Sequence, residues 1–185
     1  GIKAALKTKM NLEMAATDEM IKIASQISPE DCCLVPEKRE ELTTEGGLDV
    51  ASQLTRMKEV CSQLSDSNIR VSIFIDADKR QIDAAKACGA PVIEIHTGHY
   101  ADAVSSIERE LKYNEIKEAC KYANSLGLQV NAGHGLTLKN TSAVAKINSI
   151  VELNIGHSII SRAVFVGLSN ATTEMKTLML EARGL

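Results

Sequence analysis

Aromatic residues are scarce in this sequence of 185 residues: they make up 3% of it, and tryptophan is absent. The net charge is also small, −3 from 21 basic and 24 acidic residues. Proteins that bind nucleic acid usually present a basic surface to the phosphates or aromatic rings on which bases stack. These two shortages argue against nucleic acid as a partner.

Long hydrophobic runs are missing as well. The longest, residues 155–166, contains His157 and Arg162 and is shorter than the roughly 20 residues that a membrane-spanning helix needs. Residues 1–9 lack the apolar stretch and the small-residue cleavage site of a secretory signal. We therefore expect no membrane span and a cytoplasmic location.

The cysteines follow no pattern of a disulfide framework or a zinc site. There are five of them, an odd number, and no two have C-x-x-C spacing. His96 and His99 form an H-x-x-H pair, but no H-E-x-x-H motif or cysteine pair completes a zinc shell. We therefore expect reduced, structural cysteines and no metal.

Short β-rich runs alternate with amphipathic helical runs along the whole chain. This alternation is typical of a parallel sheet built by right-handed crossovers. The length favours a single domain over residues 1–185. Six strands are predicted, at residues 10–14, 32–37, 70–76, 92–97, 129–133 and 150–155.

Helix start and stop signals fall between these strands. Thr17 and Asp78 stand where N-caps are expected, and Gly89 and Gly127 stand where a left-handed residue usually ends a helix. The residues after the sixth strand predict two helices divided near Gly167. An apolar stripe predicts a helix before the fifth strand: Leu111, Ile116, Ala119 and Ala123.

The polarity of the strand faces distinguishes an open, doubly wound sheet from a barrel. In an open sheet both faces are buried in near-continuous aliphatic runs. Here Glu94 and His96 share a face opposite Ile93 and Ile95, and the sixth strand has one aliphatic face of Val151, Leu153 and Ile155. One aliphatic and one polar face favour a (β/α)8 TIM barrel. Because such a barrel needs eight strands, we expect six C-terminal βα units plus an extra C-terminal helix, without the first two units.

The polar side chains that could take part in catalysis or binding lie near the strand ends. All four histidines lie at or just beyond the C-terminal end of a predicted strand, where they would converge on one barrel mouth: His96, His99, His134 and His157. Any one of them could also be an ordinary loop residue.

Glu13 and Glu94 lie in the middle of strands, where an ionised carboxylate costs several kcal/mol to bury. Two interpretations are open. Each carboxylate could form an interior ion pair, with Arg70 or Lys9 as the partner. Alternatively, partial desolvation raises its pKa toward neutrality and prepares it for acid-base catalysis.

Three connections suit small phosphorylated ligands. Residues 131–135 (NAGHG) and 154–158 (NIGHS) place glycines between a strand and a helix, where backbone N–H groups can approach an anion, although both could be simple turns. The long connection at residues 36–47 suits a lid or a solvated, charged turn. Lys38 lies outside the interior-facing pattern, which disfavours a Schiff-base aldolase.

Several segments together resemble the pyridoxine 5'-phosphate synthase family, from about Met10 to the C-terminus. They are MNLEMA (10–15), CCLVPEKREELTTEGGLDV (32–50), FIDAD (74–78), IEIHTGHYA (93–101), VNAGHGLT (130–137), ELNIGHSII (152–160) and MLEARG (179–184). The resemblance implies a (β/α)8 barrel with extra helices, assembled as an octamer from a tetramer of dimers.

The resemblance also implies a reaction that needs no metal or organic cofactor. In it, 1-deoxy-D-xylulose 5-phosphate condenses with 3-amino-2-oxopropyl phosphate to form pyridoxine 5'-phosphate, inorganic phosphate and water. By resemblance, Glu13 would accept a proton, Glu94 would stabilise charged intermediates and His134 would donate a proton. The residues expected to bind the two substrates are Thr43 for the deoxyxylulose phosphate, and Gly135, Gly156 and His157 for the amino ketone.

Two motifs of the family do not occur in this sequence: the Asn-x-Asp-His and His-x-Arg segments of its first two strands. They carry further catalytic and binding groups, so these 185 residues would be incomplete as an enzyme. Two other hypotheses therefore stay open: another phosphosugar isomerase or lyase on a TIM barrel, and a non-catalytic barrel fragment that serves as a binding or oligomerisation module.

Overall fold

The computed structural model describes residues 1–38, 41, 43 and 46–185. Within them, six strands alternate with helices. The strands are β1 Asn11–Met14, β2 Asp31–Leu34, β3 Arg70–Ile75, β4 Val92–His96, β5 Gln129–Gly133 and β6 Ile150–Asn154. The helices are α1 Ile2–Ala5, α2 Asp18–Ile27, α3 Leu54–Asp66, α4 Lys79–Ala87, α5 Gly98–Asp102, α6 Ser106–Ser125, α7 Thr141–Ala145, α8 His157–Val166 and α9 Leu168–Arg183.

The predicted strands all exist, and most differ from the prediction by a single residue at one end. The largest error is at β2, which ends at Leu34 rather than at residue 37. The amide of Val35 still donates to the carbonyl of Met14 at 3.0 Å. Pro36 follows and has no N–H to donate toward β3 on the other side of the strand, which ends that ladder after Leu34 and Ile73. Part of the predicted lid, residues 39, 40, 42, 44 and 45, lies outside the described residues.

The sheet is parallel throughout, and its strands follow one another in chain order from β1 to β6. A doubly wound sheet would instead reverse its strand order at a switch point. Glu13 of β1 and Asn154 of β6 line the same cavity, whereas five flat spacings of about 4.8 Å would hold these two strands roughly 24 Å apart. The sheet is therefore curled into a half-barrel, which confirms the predicted parallel α/β class.

The helices cover the aliphatic face of this sheet, as the alternation of β3 and β4 predicted. Ile73, Ile75, Ile93 and Ile95 are fully buried, and one continuous core includes apolar side chains from the surrounding helices. The helices contribute these side chains to the core: Met57, Val60, Leu64, Ile82, Ile116, Cys120 and Ala123. Burial of this apolar surface is the main stabilising contribution to the half-barrel.

The helix boundaries follow the predicted signals. Thr17 Oγ1 accepts a hydrogen bond from the amide of Met20 at 3.2 Å, and Asp78 caps α4 in the same way. Gly89 and Gly127 have φ values of 81° and 75°, which a left-handed helix end requires. The division of the last stretch into α8 and α9 at Gly167 is also confirmed.

Two predicted core positions are wrong. Leu111 is 56% exposed, because only the C-terminal half of α6 contributes buried residues to the core. Val151 is 68% exposed. Among the described residues β6 is an edge strand paired only with β5, and the α8 helix that follows it packs mainly against α9.

All five cysteines are free and buried. Adjacent Cys32 and Cys33 face opposite sides of β2, as a strand requires: Cys32 belongs to the core under the helices, and Cys33 lies inside the half-barrel beside Glu94. No helix in the described part of the chain is both long and apolar enough to cross a membrane.

Candidate active site

A cavity of about 820 Å³ opens at the C-terminal ends of the strands. Six of the seven residues predicted to form the site line it: Glu13, Glu94, His134, Gly135, Gly156 and His157. The seventh, Thr43, does not line the cavity. Its hydroxyl accepts a hydrogen bond at 3.2 Å from the amide of Gly46, and Gly46 does line the cavity. The curl of the sheet thus brings together groups that are up to 144 residues apart, from Glu13 to His157.

Glu94 is the most deeply buried carboxylate in this cavity, at 4% exposure. Burial raises its pKa to about 7, and the nearby charge of Glu13 adds to the rise, while a hydrogen bond from Asn154 opposes it. A carboxyl group with this pKa changes its protonation state near neutral pH. Desolvation, the second of the two interpretations from sequence, is therefore the one that describes Glu94.

The pocket around the Glu94 carboxylate is built from three other strands. Asn154 Nδ2 donates to Oε2 at 2.6 Å, and the thiol of Cys33 lies 3.6 Å from the same oxygen. The second oxygen lies against Gly133, where a Cβ atom would come within 2.4 Å of it. Strands β2, β5 and β6 together therefore fix the orientation of this side chain.

Arg70, the arginine considered as an ion-pair partner, is engaged elsewhere. It lies 3.5 Å from Asp31 and also donates to Gln129. Gln129 in turn donates to Asn131, whose amide donates to Glu152 at 3.2 Å. The groups that bind the Glu94 carboxylate are an amide and a thiol, so an ion pair with Arg70 is the wrong explanation for its burial.

Glu13 differs from the prediction because its side chain is exposed rather than buried. Within the described residues, β1 has a neighbouring strand on one side only. Its charge nevertheless raises the pKa values of Glu94 and His134, which shows that the carboxylate lies within electrostatic reach of both. The burial argument thus holds for Glu94 and fails for Glu13, although both residues line the cavity.

His134 follows β5 and has a φ of 81°, which is uncommon for a residue other than glycine. The residue is exposed at the rim, but partial desolvation by its neighbours lowers its pKa, and the nearby His96 lowers it further, while Asp102 and Glu13 act in the opposite direction. The His134 and His96 rings meet edge to face with centroids 4.9 Å apart. Among the described residues, no group of three or more His, Cys, Asp or Glu side chains could hold a metal ion.

The two glycine segments meet at the rim of the cavity. Gly135 has a φ of 75°, and a Cβ atom there would lie 2.6 Å from Cβ of Ala101, so this position requires glycine. Gly156 is the N-cap of α8, with open space around it. The hydroxyl of Ser158 donates to the carbonyl of Leu136 at 2.7 Å and ties the two segments together. Free amide groups at the start of a helix favour an anion.

Comparison with known proteins shows to which family this chain belongs. The family described as "Pyridoxal phosphate biosynthesis protein PdxJ" matches residues 1–181. The chain belongs to the PdxJ family. It is 57% identical over 182 residues to pyridoxine 5'-phosphate synthase of Photobacterium profundum, which covers 98% of the chain and 75% of that relative. The synthase of Coxiella burnetii is 59% identical, with 98% and 76% covered. This PdxJ protein is therefore an enzyme of vitamin B6 biosynthesis, as the resemblance implied.

Solved structures of other proteins share the fold of this PdxJ chain. The BexX/CysO complex of Amycolatopsis orientalis matches with a TM-score of 0.60 at 14% identity, over 88% of this chain and 59% of that one. The YdjI aldolase of Escherichia coli K12 matches with a TM-score of 0.58 at 12% identity, over 99% and 68%. At such low identity these matches show the fold alone.

Sequence reasoning missed the partners of the predicted site residues. Alternation in the sixth strand places Asn154 opposite the aliphatic face of Val151, Leu153 and Ile155, but it does not predict the bond to Glu94 or any role for Cys33 and Asp76. The signal available was strand alternation, which tells on which side of the sheet a residue lies. It does not tell which residue of another strand it meets, because that depends on register and curl.

Proposed function

We propose that this protein is a pyridoxine 5'-phosphate synthase that condenses 1-deoxy-D-xylulose 5-phosphate with 3-amino-2-oxopropyl phosphate. The observation that carries the proposal is the buried Glu94 carboxyl group, with a pKa of about 7, in one cavity with Glu13 and His134. Ring closure by imine formation and repeated loss of water needs acid and base groups in reach of one another. The names of the close relatives support the same reaction.

Glu13 is proposed as the proton acceptor. Its side chain lines the cavity within electrostatic reach of His134, so it can take a proton from a substrate bound there. His134 is proposed as the proton donor. The lowered pKa of its imidazole makes the protonated ring a stronger acid, which favours transfer of a proton to a leaving hydroxyl group.

Glu94 is proposed to stabilise cationic intermediates. Imine formation from an amine and a ketone passes through positively charged nitrogen species, and a carboxylate in a water-poor pocket attracts such a cation more strongly than one in bulk solvent. Burial that is costly for Glu94 alone is offset once a cation lies beside it. The bond from Asn154 aims the carboxylate before the substrate arrives.

The substrates bring two phosphate groups, and two sets of residues are proposed to bind them. Gly135, Gly156 and His157 would hold the amino ketone phosphate, with backbone amides at the start of α8 facing the anion. Thr43 would contact the deoxyxylulose phosphate beside the cavity-lining Gly46. No metal or organic cofactor takes part in this proposal.

The proposed architecture is the (β/α)8 barrel, of which the described residues form six units with an additional C-terminal helix. Chain-order strands and the curl of the sheet support it. One core running from Met14 to Ile150 supports a single domain over residues 1–185. We also propose an octamer built as a tetramer of dimers in the cytoplasm, where the five free thiols would stay reduced. Neither nucleic acid nor membrane is a proposed partner.

Incubation of the full-length protein with both substrates tests the proposed reaction. Pyridoxine 5'-phosphate, identified by mass and fluorescence, and one inorganic phosphate per product are expected. Glu13→Gln and His134→Ala should each lower kcat by at least about a hundredfold, as loss of an acid-base group does. The matched control is Glu174→Gln on α9, whose carboxylate pairs with Arg162 on the surface.

Consumption of one phosphosugar alone, without a pyridine product, would instead indicate an isomerase or lyase on the same fold. Binding of both substrates without turnover would indicate a binding module.

A further inference from the structure

Asp76, the residue that follows β3, is a buried carboxylate on which three separate donors converge. It is 5% exposed. The hydroxyl of Thr43 donates to its Oδ2. The backbone amide of Gly47 lies 3.2 and 3.1 Å from its two oxygens, and Nδ1 of His96 lies 3.1 Å from Oδ1. A single side chain therefore links the segment between β2 and α3 to His96, the last residue of β4.

On one side, Asp76 organises the segment around Thr43. The amide of Thr43 donates to the carbonyl of Gly47 at 2.9 Å, and the amide of Leu48 donates to the carbonyl of Phe74 at 2.9 Å. Gly47 lies so close to β3 that a Cβ atom there would be 2.5 Å from the amide nitrogen of Asp76. The hydroxyl of Thr43 is thus held at the end of β3, beside the cavity-lining Gly46.

On the other side, Asp76 orients the ring of His96. That ring packs edge-on against Phe74 at 5.0 Å and against His134 at 4.9 Å between centroids. Gly98 leaves space for it, since a Cβ atom there would lie 2.5 Å from Nε2. A carboxylate that accepts from Nδ1 fixes both the tautomer and the rotation of an imidazole. The His134 ring therefore packs against a ring that Asp76 holds.

We propose that Asp76 is a positioning residue that holds Thr43 for substrate binding and, through the His96 ring, holds His134 for proton transfer. The inference rests on the proposed function of Thr43 and His134. An ionised carboxylate suits this task because its two oxygens accept several hydrogen bonds, whereas an amide offers one accepting oxygen. Burial by itself would raise the pKa of Asp76, but the bonds from His96, Thr43 and Gly47 hold it below its usual range.

The two connections predict a split in the kinetic constants. Asp76→Asn should raise KM for the deoxyxylulose phosphate by at least about tenfold and lower kcat by at least about tenfold, with KM for the amino ketone changed by less than about threefold. Thr43→Val should reproduce the KM effect with kcat within about threefold of wild type. In the Thr43→Val, Asp76→Asn double variant, the fold-rise in KM should be smaller than the product of the two single rises, because the two residues share one hydrogen bond.

His96→Asn separates the other connection. Its side-chain amide can replace the Nδ1–H donor and preserve the contact with Asp76, but it lacks the ring that packs against His134. KM for the deoxyxylulose phosphate should stay within about threefold of wild type while kcat falls by at least about tenfold. The matched control for the carboxylate is Asp78→Asn, two residues further on, where asparagine caps a helix as well as aspartate does and all constants should stay near wild type.

NMR of the His96 ring nitrogens gives a readout that does not depend on turnover. The wild-type protein should show the Nδ1–H tautomer, and Asp76→Asn should shift the population toward Nε2–H. Equal rises in both KM values, or constants within about twofold of wild type in Asp76→Asn, would overturn the positioning role. If Asp76→Asn does not fold, the other two variants test the positioning role: Thr43→Val should change only KM for the deoxyxylulose phosphate, and His96→Asn should change only kcat. Absence of turnover in the wild type would refute the proposed function, while the tautomer result would still test the Asp76–His96 contact.

Discussion

Glu13 and Glu94 are the third residues of their strands, and both line the same cavity, yet their surroundings differ sharply. Glu94 lies on β4 between two neighbours, with Phe74 and Asn131 beside it in register, and is 4% exposed. Glu13 lies on β1, which has one neighbouring strand among the described residues, and its side chain is exposed. Residue type and strand position are therefore the same, and the number of covered sides makes the difference.

This difference suits the two roles proposed for the carboxylates. Glu13 lines the cavity within electrostatic reach of His134, where a proton acceptor can reach a bound substrate. Burial makes the charge on Glu94 costly until a cationic intermediate approaches, which is the property required of an electrostatic stabiliser. The contrast can be tested by removing each carboxylate, and by changing the groups that enclose Glu94.

The largest expected effect is on stability as a function of pH. The pKa of Glu94 is raised from 4.5 to about 7, so below pH 4.5 both the folded and the unfolded states hold the proton. As pH rises toward 7 the unfolded state loses it first, and folding stability falls. Glu94→Gln should therefore become more stable than wild type by up to about 3 kcal/mol at pH 8, and by nothing at pH 4. Urea unfolding of both proteins across this range measures it, and parallel curves would contradict the burial of Glu94.

A methyl group placed against the Glu94 carboxylate should have the next largest effect. A Cβ atom on Gly133 would lie 2.4 Å from Oε1 of Glu94 and 2.8 Å from the carbonyl oxygen of Asn154. Gly133→Ala should destabilise the protein by about 2 kcal/mol through overpacking. Gly89→Ala is the control, since its Cβ would meet no atom within 4 Å and only the positive φ is strained, at about 1 kcal/mol. Thermal unfolding compares the two variants. Equal losses of stability would mean that the groups around Glu94 move to accept the methyl group without cost.

Removal of the amide that binds Glu94 should have a smaller effect. Asn154→Leu keeps the side-chain size and deletes the 2.6 Å hydrogen bond that opposes the rise in the pKa of Glu94. The pKa should rise further, and kcat at pH 7 should fall by about tenfold, equivalent to about 1.4 kcal/mol. Carbon-13 NMR of the Glu94 carboxyl group reports the pKa directly. An unchanged titration would show that Asn154 does not hold the carboxylate in solution.

The smallest expected effect is that of Glu13 on stability. In the 185-residue chain, where the Glu13 side chain is exposed, Glu13→Gln should leave the free energy of unfolding within about 0.5 kcal/mol of wild type at each pH from 4 to 8. Its loss of turnover would then be a chemical effect alone. A pH-dependent gain like that of Glu94→Gln would mean that the two carboxylates share one environment and would remove the contrast.

Much of the fold was predictable because its determinants are local. Thr17 and Asp78 cap helices from positions adjacent to them, and Gly89 and Gly127 end helices through their own φ values. Alternation along β4 predicted correctly that Glu94 faces inward. Leu111 and Val151 were misjudged because an apolar residue is buried only where another element covers it, and that cover comes from distant parts of the chain.

The site divides in the same way. The sequence by itself determined which residues are chemically able and which face of each strand carries them, since side-chain direction follows from the local backbone. Only the tertiary structure decided that Asn154 and Cys33 meet Glu94, that Thr43 and His96 meet on Asp76, and that Glu13 stays exposed. These contacts join residues between 20 and 61 positions apart. They depend on strand register and on the curl of the sheet, which arise from packing of the whole core.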